Sequence, residues 1–213
     1  MRSDYVQFGC GTDAPSGWRN FDAGPIFWMQ KYLPFSKSML VRRGHPDYPV
    51  QNIEYADVTQ GLPLESQSVQ AVYCSHVLEH LSLSGFRRAT RNVFEYLKPG
   101  GLFRLVVPDL EYLINQYKAD TSAEAASNFI RDANLGEFED GRSIESLPRM
   151  LFGRSRHLWM WDYRGIEAEL SSVGFVDIRR AQYNDSAEDR FKEVENPGRW
   201  ENCLGVECRR PNP

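Results

Sequence analysis

Residues 75–80, Ser75-His76-Val77-Leu78-Glu79-His80, hold two histidines four positions apart with a glutamate beside the second. On a helix His76 and His80 would share one face, with Glu79 a turn from His76, a spacing suited to a zinc ion that activates water. Such a site also needs a third protein ligand and a helix long enough to carry the pair. The residues before His76, "VQAVYCS" (69–75), are β-branched and aromatic, so His76 falls at a strand end and no metal is assigned.

A second constellation opens the chain. "DYVQFGCG" (4–11) reads as a strand that stops at Gly9-Cys10-Gly11. Glycines there let the backbone approach a ligand more closely than any Cβ permits, with amides pointing at it; a plain structural turn fits the same residues. Asp22 ends a strand at "WRNFD" (18–22), Asp57 closes one at "QNIEYADV" (51–58), and Ser75-His76 close a fourth. In an open parallel sheet ligands bind beyond the carboxyl ends where strand order reverses, so these four ends would line one crevice. In it Asp22 would accept the ribose hydroxyls of a nucleoside-like cofactor, or cap the turn before Gly24-Pro25. Asp57 would take an adenine amine with Val58 on the ring, or cap a turn.

The elements that must position these groups alternate. A helix over 84–101, with Ser84 as N-cap and apolar Phe86, Ala89, Val93, Phe94 and Leu97, ends at Lys98-Pro99-Gly100-Gly101. "LFRLVVPD" (102–109) reads as a near-continuous apolar strand buried on both faces. Asp162 and Gly174 bracket a helix within 162–175, and strands at 176–182 and 203–210 suit a hairpin at one sheet edge. The class is α/β. From 110 to 156 the pattern loosens around an acidic loop (136–143), which reads as an insertion or lid.

With 213 residues, 41% hydrophobic and 25% charged, the chain suits one globular domain over 1–213, with variable cap segments at 23–50 and 110–156. A net charge of −4 argues against an extended nucleic-acid surface, and Arg87, Arg88 and Arg91 read as a solvated helix face. Four cysteines without C-x-x-C spacing suit a reducing compartment. Nothing approaches the about 20 apolar residues of a membrane span, and no basic-then-apolar leader opens the chain. The expectation is a cytoplasmic protein without membrane insertion.

In order and spacing, "VQFGCGTDAPSGWRNFDAGP", "YADVTQGLPLESQSVQAVYCSHVLEHLS", "YLKPGGLFRLVVPD" and "HLWMWDYRGIEAELSSVGF" resemble the class I S-adenosylmethionine-dependent methyltransferases, in particular small domains associated with glycan or cell-surface biosynthesis. The resemblance spans the chain apart from 23–50 and 110–156. It implies a Rossmann-like, doubly wound seven-stranded sheet, mostly parallel with an antiparallel last strand. It also implies S-adenosyl-L-methionine as cofactor. Phe8, Gly9, Cys10 and Gly11 would wrap its methionine part, Asp22 its ribose, and Asp57 with Val58 its adenine; Ser75 and His76 would stand beside the sulfonium. Two departures stand out. Gln7 occupies a position where many members carry an acid. The ten residues between Gly11 and Asp22 are too few for the usual helix, which must shrink to a turn around "DAPSGW". That shortening counts against a dinucleotide more than against a sulfonium ligand, which has no phosphate.

Methyl transfer is an in-line displacement from sulfur, so the protein aligns the acceptor and, for a hydroxyl, helps remove its proton. The candidate bases are His76, His80 and His157, with His80 or His157 favoured. Trp159, Trp161 and Tyr163 would wall an acceptor pocket, or belong to the core. The aromatic stretch 24–35 would cap the cofactor, bind acceptor, or pack on the sheet or a dimer partner. Asp109 ends the fifth strand beside the same crevice, with Tyr112 three residues on, and either would contact acceptor. A Glu/His cluster like that of small-RNA 2′-O-methyltransferases would hold a divalent ion, but His76 stands where that pattern has glutamate. The reading is therefore a methyltransferase acting on a small polar or glycan-type acceptor at oxygen. Its rivals are a catalytically silent binder of the same fold and, less favoured, an NAD-type oxidoreductase.

Overall fold

The computed structural model describes residues 4–136 and 156–213. Seven strands, β1 (Tyr5–Phe8), β2 (Arg19–Asp22), β3 (Ile53–Tyr55), β4 (Val69–Ser75), β5 (Leu97–Pro108), β6 (Val176–Ala181) and β7 (Cys203–Arg209), form one sheet in the order β3-β2-β1-β4-β5-β7-β6. The ladders from β3 through β5 are parallel, and β7 runs antiparallel to both β5 and β6. This is the Rossmann-like α/β architecture that the sequence predicts. Phe8 pairs with Phe21 on one side and Cys74 on the other. The chain therefore reverses its winding at β1 and β4, and their carboxyl ends open the crevice.

Among the described residues six helices accompany the sheet: α1 (Pro25–Tyr32), α2 (Ser36–Arg42), α3 (Leu83–Tyr96), α4 (Leu110–Ala119), α5 (Ala125–Asp132) and α6 (Tyr163–Val173). One face of the sheet is covered by α3 and α6, whose Phe86, Ala89, Val93, Ile166 and Leu170 recur at helical spacing and pack with Val6, Val72 and Leu105. Asp162 caps α6 through the Gly165 amide, and Gly174 ends it in the left-handed conformation, as its sequence predicts. For α3 the cap is Ser82 and not Ser84: the extended Ser82 accepts from the Gly85 amide, so Leu83 already starts the helix. The same helix ends at Tyr96, because Leu97 enters β5 opposite Val69.

The other face is built differently. Phe191, Val194 and Trp200, from the segment joining β6 to β7, pack on Ala71, Tyr73, Leu102 and Val106. At their centre Arg104 of β5 is fully buried. Its guanidinium donates to Glu195, to Asp185 and Glu207 at 3.0 Å each, and to the Gln182 carbonyl at 2.6 Å, and it lies 4.6 Å from the Trp200 ring. The strand read as near-continuously apolar thus carries a buried cation that pins the β6–β7 segment to the sheet.

Between β1 and β2 the expected shortening is real: the connection is a run of turns. Two buried amides organise it. Gln7 donates at 2.7 Å to both the Asp13 carbonyl and Asn20 Oδ1, and Asn20 donates to the carbonyls of Pro15 and Trp18. No described helix is long and apolar enough to cross a membrane. Of the proposed acidic loop at 136–143, only Gly136 lies among the described residues.

Candidate functional site

Gly9 and Gly11 both adopt positive φ, +64° and +58°. A Cβ on Gly9 would meet Val77 Cγ2 at 2.1 Å, so this glycine seats the β1 turn against the start of the β4 turn. At Gly11 a Cβ would meet nothing within 4 Å, leaving that side of the backbone open. Phe8 and Cys10 are buried, and burial, with Asp22 nearby, pushes the Cys10 thiol well up; what these two residues offer a ligand is their backbone.

Asp22, 7% exposed, accepts from the Gly11 amide at 2.9 Å through Oδ2 and from the Gly24 amide at 2.6 Å through Oδ1. It is therefore the turn cap read as one alternative, and it also ties β2 to the glycine turn. Burial raises its pKa, opposed by these two amides and by the Arg199 charge. Each carboxylate oxygen keeps a second lone-pair direction for a hydroxyl. Asp57 caps its own turn through the Thr59 amide at 2.8 Å and is half-buried. Val58 sits in the core cluster beside Leu62 and Phe86, with its side chain already covered.

Beyond β4, Ser75 is met by a residue the sequence reading missed. Arg199 donates from Nε to Ser75 Oγ at 3.0 Å and from Nη2 to the Ser75 carbonyl at 2.5 Å. Among the described residues no carboxylate pairs with it at ion-pair distance. Nothing in sequence links positions 75 and 199; the β6–β7 segment brings them together because Arg104 anchors it.

His76 is held at φ +55° with its amide on the Val106 carbonyl. Its Nε2 lies 2.9 Å from the Arg199 carbonyl and its Nδ1 lies 3.3 Å from Glu79 Oε1. Burial disfavours the imidazolium, but Cys203, Glu79 and the Arg199 carbonyl outweigh it and raise the pKa to about 10. Both ring nitrogens of His76 thus face a partner, Nε2 the Arg199 carbonyl and Nδ1 the Glu79 carboxylate. Glu79 and His80 lie in a short 3-10 turn (Leu78–His80), so the zinc-helix geometry of the motif does not form.

His80 and His157 meet edge to face with ring centroids 5.0 Å apart. His80 Nδ1 lies 3.0 Å from the Arg156 carbonyl, and His157 Nδ1 lies 2.8 Å from the Ala133 carbonyl. A carbonyl only accepts, so both Nδ1 atoms carry the proton and both Nε2 atoms present a lone pair when neutral. Burial chiefly lowers the His157 pKa, keeping it neutral. Glu79 lies between the histidines fully buried, and its backbone carbonyl accepts from Leu158 and Trp159.

The aromatic group divides. Trp161 is buried against Phe86, with ring centroids 4.2 Å apart, and Tyr163 donates to Glu167 and to the Ile178 carbonyl. Both serve the core, and only Trp159 stays exposed. Asp109 caps α4 through the Glu111 amide. A cavity of about 500 Å³ between α4 and α5, lined by residues such as Tyr117 and Phe129, includes none of the predicted site residues.

Residues 6–105 match the family described as "Methyltransferase domain". Among solved structures, a SAM-dependent methyltransferase from Methanosarcina mazei aligns with a TM-score of 0.52 and 12% identity, over 100% of this chain and 95% of its own. Another, from Thermotoga maritima and described as a possible histamine N-methyltransferase, aligns with a TM-score of 0.50 and 12% identity, over 97% of this chain and 81% of its own. No match was found among curated protein sequences. At such identities the structural likeness establishes the fold. The domain match and the fold together support a class I S-adenosylmethionine-dependent methyltransferase, and with it S-adenosylmethionine as cofactor.

Proposed function

We propose that the protein transfers a methyl group from S-adenosylmethionine to a small polar or glycan-type acceptor, at oxygen. The observation that carries the cofactor half is the convergence, at the switch point of the sheet, of the Gly9–Gly11 turn, Asp22 and Ser75, with the open side at Gly11. Gly9 to Gly11 would pass along the methionine part through backbone alone. The free lone pairs of Asp22 would take the ribose hydroxyls, and Asp57 the adenine amine. Arg199, a cation at Ser75 without a carboxylate partner among the described residues, suits the methionine carboxylate. It supplies charge recognition on a site where Gln7 is spent on the β1–β2 turn.

The cofactor supplies an electrophilic methyl on a cationic sulfur. The chain must align the acceptor and take its proton. The Nε2 lone pair of His80 or His157 is the acceptor for that proton, since the two ring nitrogens of His76 already face the Arg199 carbonyl and Glu79. Exposed Trp159 and Leu158, next to His157, offer an apolar surface for the face of a sugar ring.

Titration calorimetry with S-adenosylhomocysteine tests the cofactor half. The wild type binds, and Asp22→Asn, which keeps acceptor capacity for the Gly11 or Gly24 amide, binds at least tenfold more weakly, about 1.4 kcal/mol. Equal binding by the two would remove Asp22 from the ribose site. Methyl-labelled cofactor offered with hydroxylated metabolite and glycan pools tests the acceptor half: label in an alkali-stable ether supports it. Binding without transfer to any pool favours a catalytically silent member of the fold.

A further inference from the structure

We propose that Glu79, His80 and His157 form a binding site for one first-row transition-metal dication. One ligand atom from each lies within 4.8 Å of the others, and His80 Nε2 stands 3.9 Å from Glu79 Oε1. Ligand atoms held about 2.0–2.2 Å from an ion stand roughly 3–4 Å apart. Small side-chain rotations therefore close the site.

Two further observations point to a ligand and away from a merely structural cluster. The Glu79 side chain is sealed from solvent, yet neither carboxylate oxygen makes a hydrogen bond. The approach of His76 Nδ1 at 3.3 Å is an ion-pair distance without hydrogen-bond alignment. A carboxylate offers about four lone-pair sites, and leaving them empty in the interior is costly. Both histidines, moreover, have their Nδ1 protons tied to backbone carbonyls. That fixes the tautomer and aims Nε2 inward, as outer-sphere carbonyls do for metal-bound histidines.

Two imidazole nitrogens and one carboxylate suit zinc, cobalt or manganese, whereas magnesium and calcium prefer all-oxygen shells. The remaining coordination positions are open to water or a donor oxygen. The third ligand was invisible in the 75–80 motif, because His157 is delivered from beyond α4 and α5 and replaces His76 in the set. The inference rests on side-chain geometry and does not depend on the methyl-transfer reading. An ion here would occupy the lone pairs proposed for proton removal, so the two roles exclude each other while it is bound.

The test is calorimetric titration of chelator-stripped full-length protein with ZnCl2, repeated with CoCl2 in a visible spectrophotometer. One ion should bind with a Kd near or below about 1 μM, Co2+ should develop d–d bands, and MgCl2 should give no heat at about 1 mM. Glu79→Gln and His157→Gln should each weaken Zn2+ binding by at least about tenfold, with His45→Gln as an unchanged control. Circular dichroism confirms folding, and should one variant unfold, the other with His80→Gln decides. Wild-type affinity in the folded ligand variants, or no Zn2+ binding at about 1 mM, overturns the proposal.

Discussion

Arg104 and Glu79 are both sealed from solvent, and the sheet treats them oppositely. Arg104 is surrounded: three carboxylates and a carbonyl accept its protons, and Trp200 and Phe191 lie against it. Glu79 has two histidines within 4 Å and no aligned hydrogen bond. A buried charge with every bond made is architecture, here the anchor of the β6–β7 segment. A buried charge with bonds left unmade is a place where something else binds. The contrast explains why a residue so far from Ser75 in sequence reaches it: Arg199 is held at the crevice because Arg104 holds the segment that carries it.

The contrast breaks most visibly at Arg104. Arg104→Ala leaves Glu195 buried without its cation, while Glu207 keeps Arg179 at 2.7 Å, and should cost about 3–5 kcal/mol in urea unfolding; a loss under about 1 kcal/mol would show that the network is not an anchor. Gly9→Ala follows, since its Cβ collides with Val77 at a positive-φ position; we expect about 1–3 kcal/mol of destabilisation together with weaker S-adenosylhomocysteine binding.

The pH dependence of the satisfied cluster is smaller. Burial alone would raise the Asp185 pKa, but hydrogen bonds from Arg179 and Arg104 lower it to about 2. The folded-state pKa is depressed, so this stability is present above about pH 4 and lost as pH falls toward 2. Asp185→Asn should therefore be less stable than wild type by about 1–2 kcal/mol at pH 6, a gap that closes near pH 2 in paired denaturation curves. Smallest is Glu79→Gln in metal-free protein: neither carboxylate oxygen makes a hydrogen bond, so the substitution should change stability by less than about 1 kcal/mol in urea unfolding. A loss comparable to that of Arg104→Ala would make Glu79 a structural residue.

The sequence disclosed most where chemistry is local. Strand β4 lies at 69–75 as its β-branched and aromatic residues predict, Asp162 and Gly174 bracket α6, and the short Gly11–Asp22 spacing foretells the missing helix. Side-chain destinations set by long-range packing were less legible. Arg104 sits in an apolar run because its partners arrive from residues 182–207. Trp161 and Tyr163 face the core because β6 and α3 meet them there. Ser82 and Ser84 offered equivalent caps in sequence, and only the backbone at Ser82 is extended. The paired elements of the crevice were visible as strand ends, whereas Arg199 and the His80–His157 contact exist only once the sheet has folded.

The most direct test is a pair of calorimetric titrations, wild type and Arg199→Met, each with S-adenosylhomocysteine and with 5′-methylthioadenosine, which lacks the amino-acid carboxylate. The account predicts that wild type binds S-adenosylhomocysteine at one site, and that Arg199→Met loses at least about tenfold for it, about 1.4 kcal/mol, while 5′-methylthioadenosine binds both proteins alike. No binding of S-adenosylhomocysteine to the wild-type protein would contradict the cofactor crevice itself.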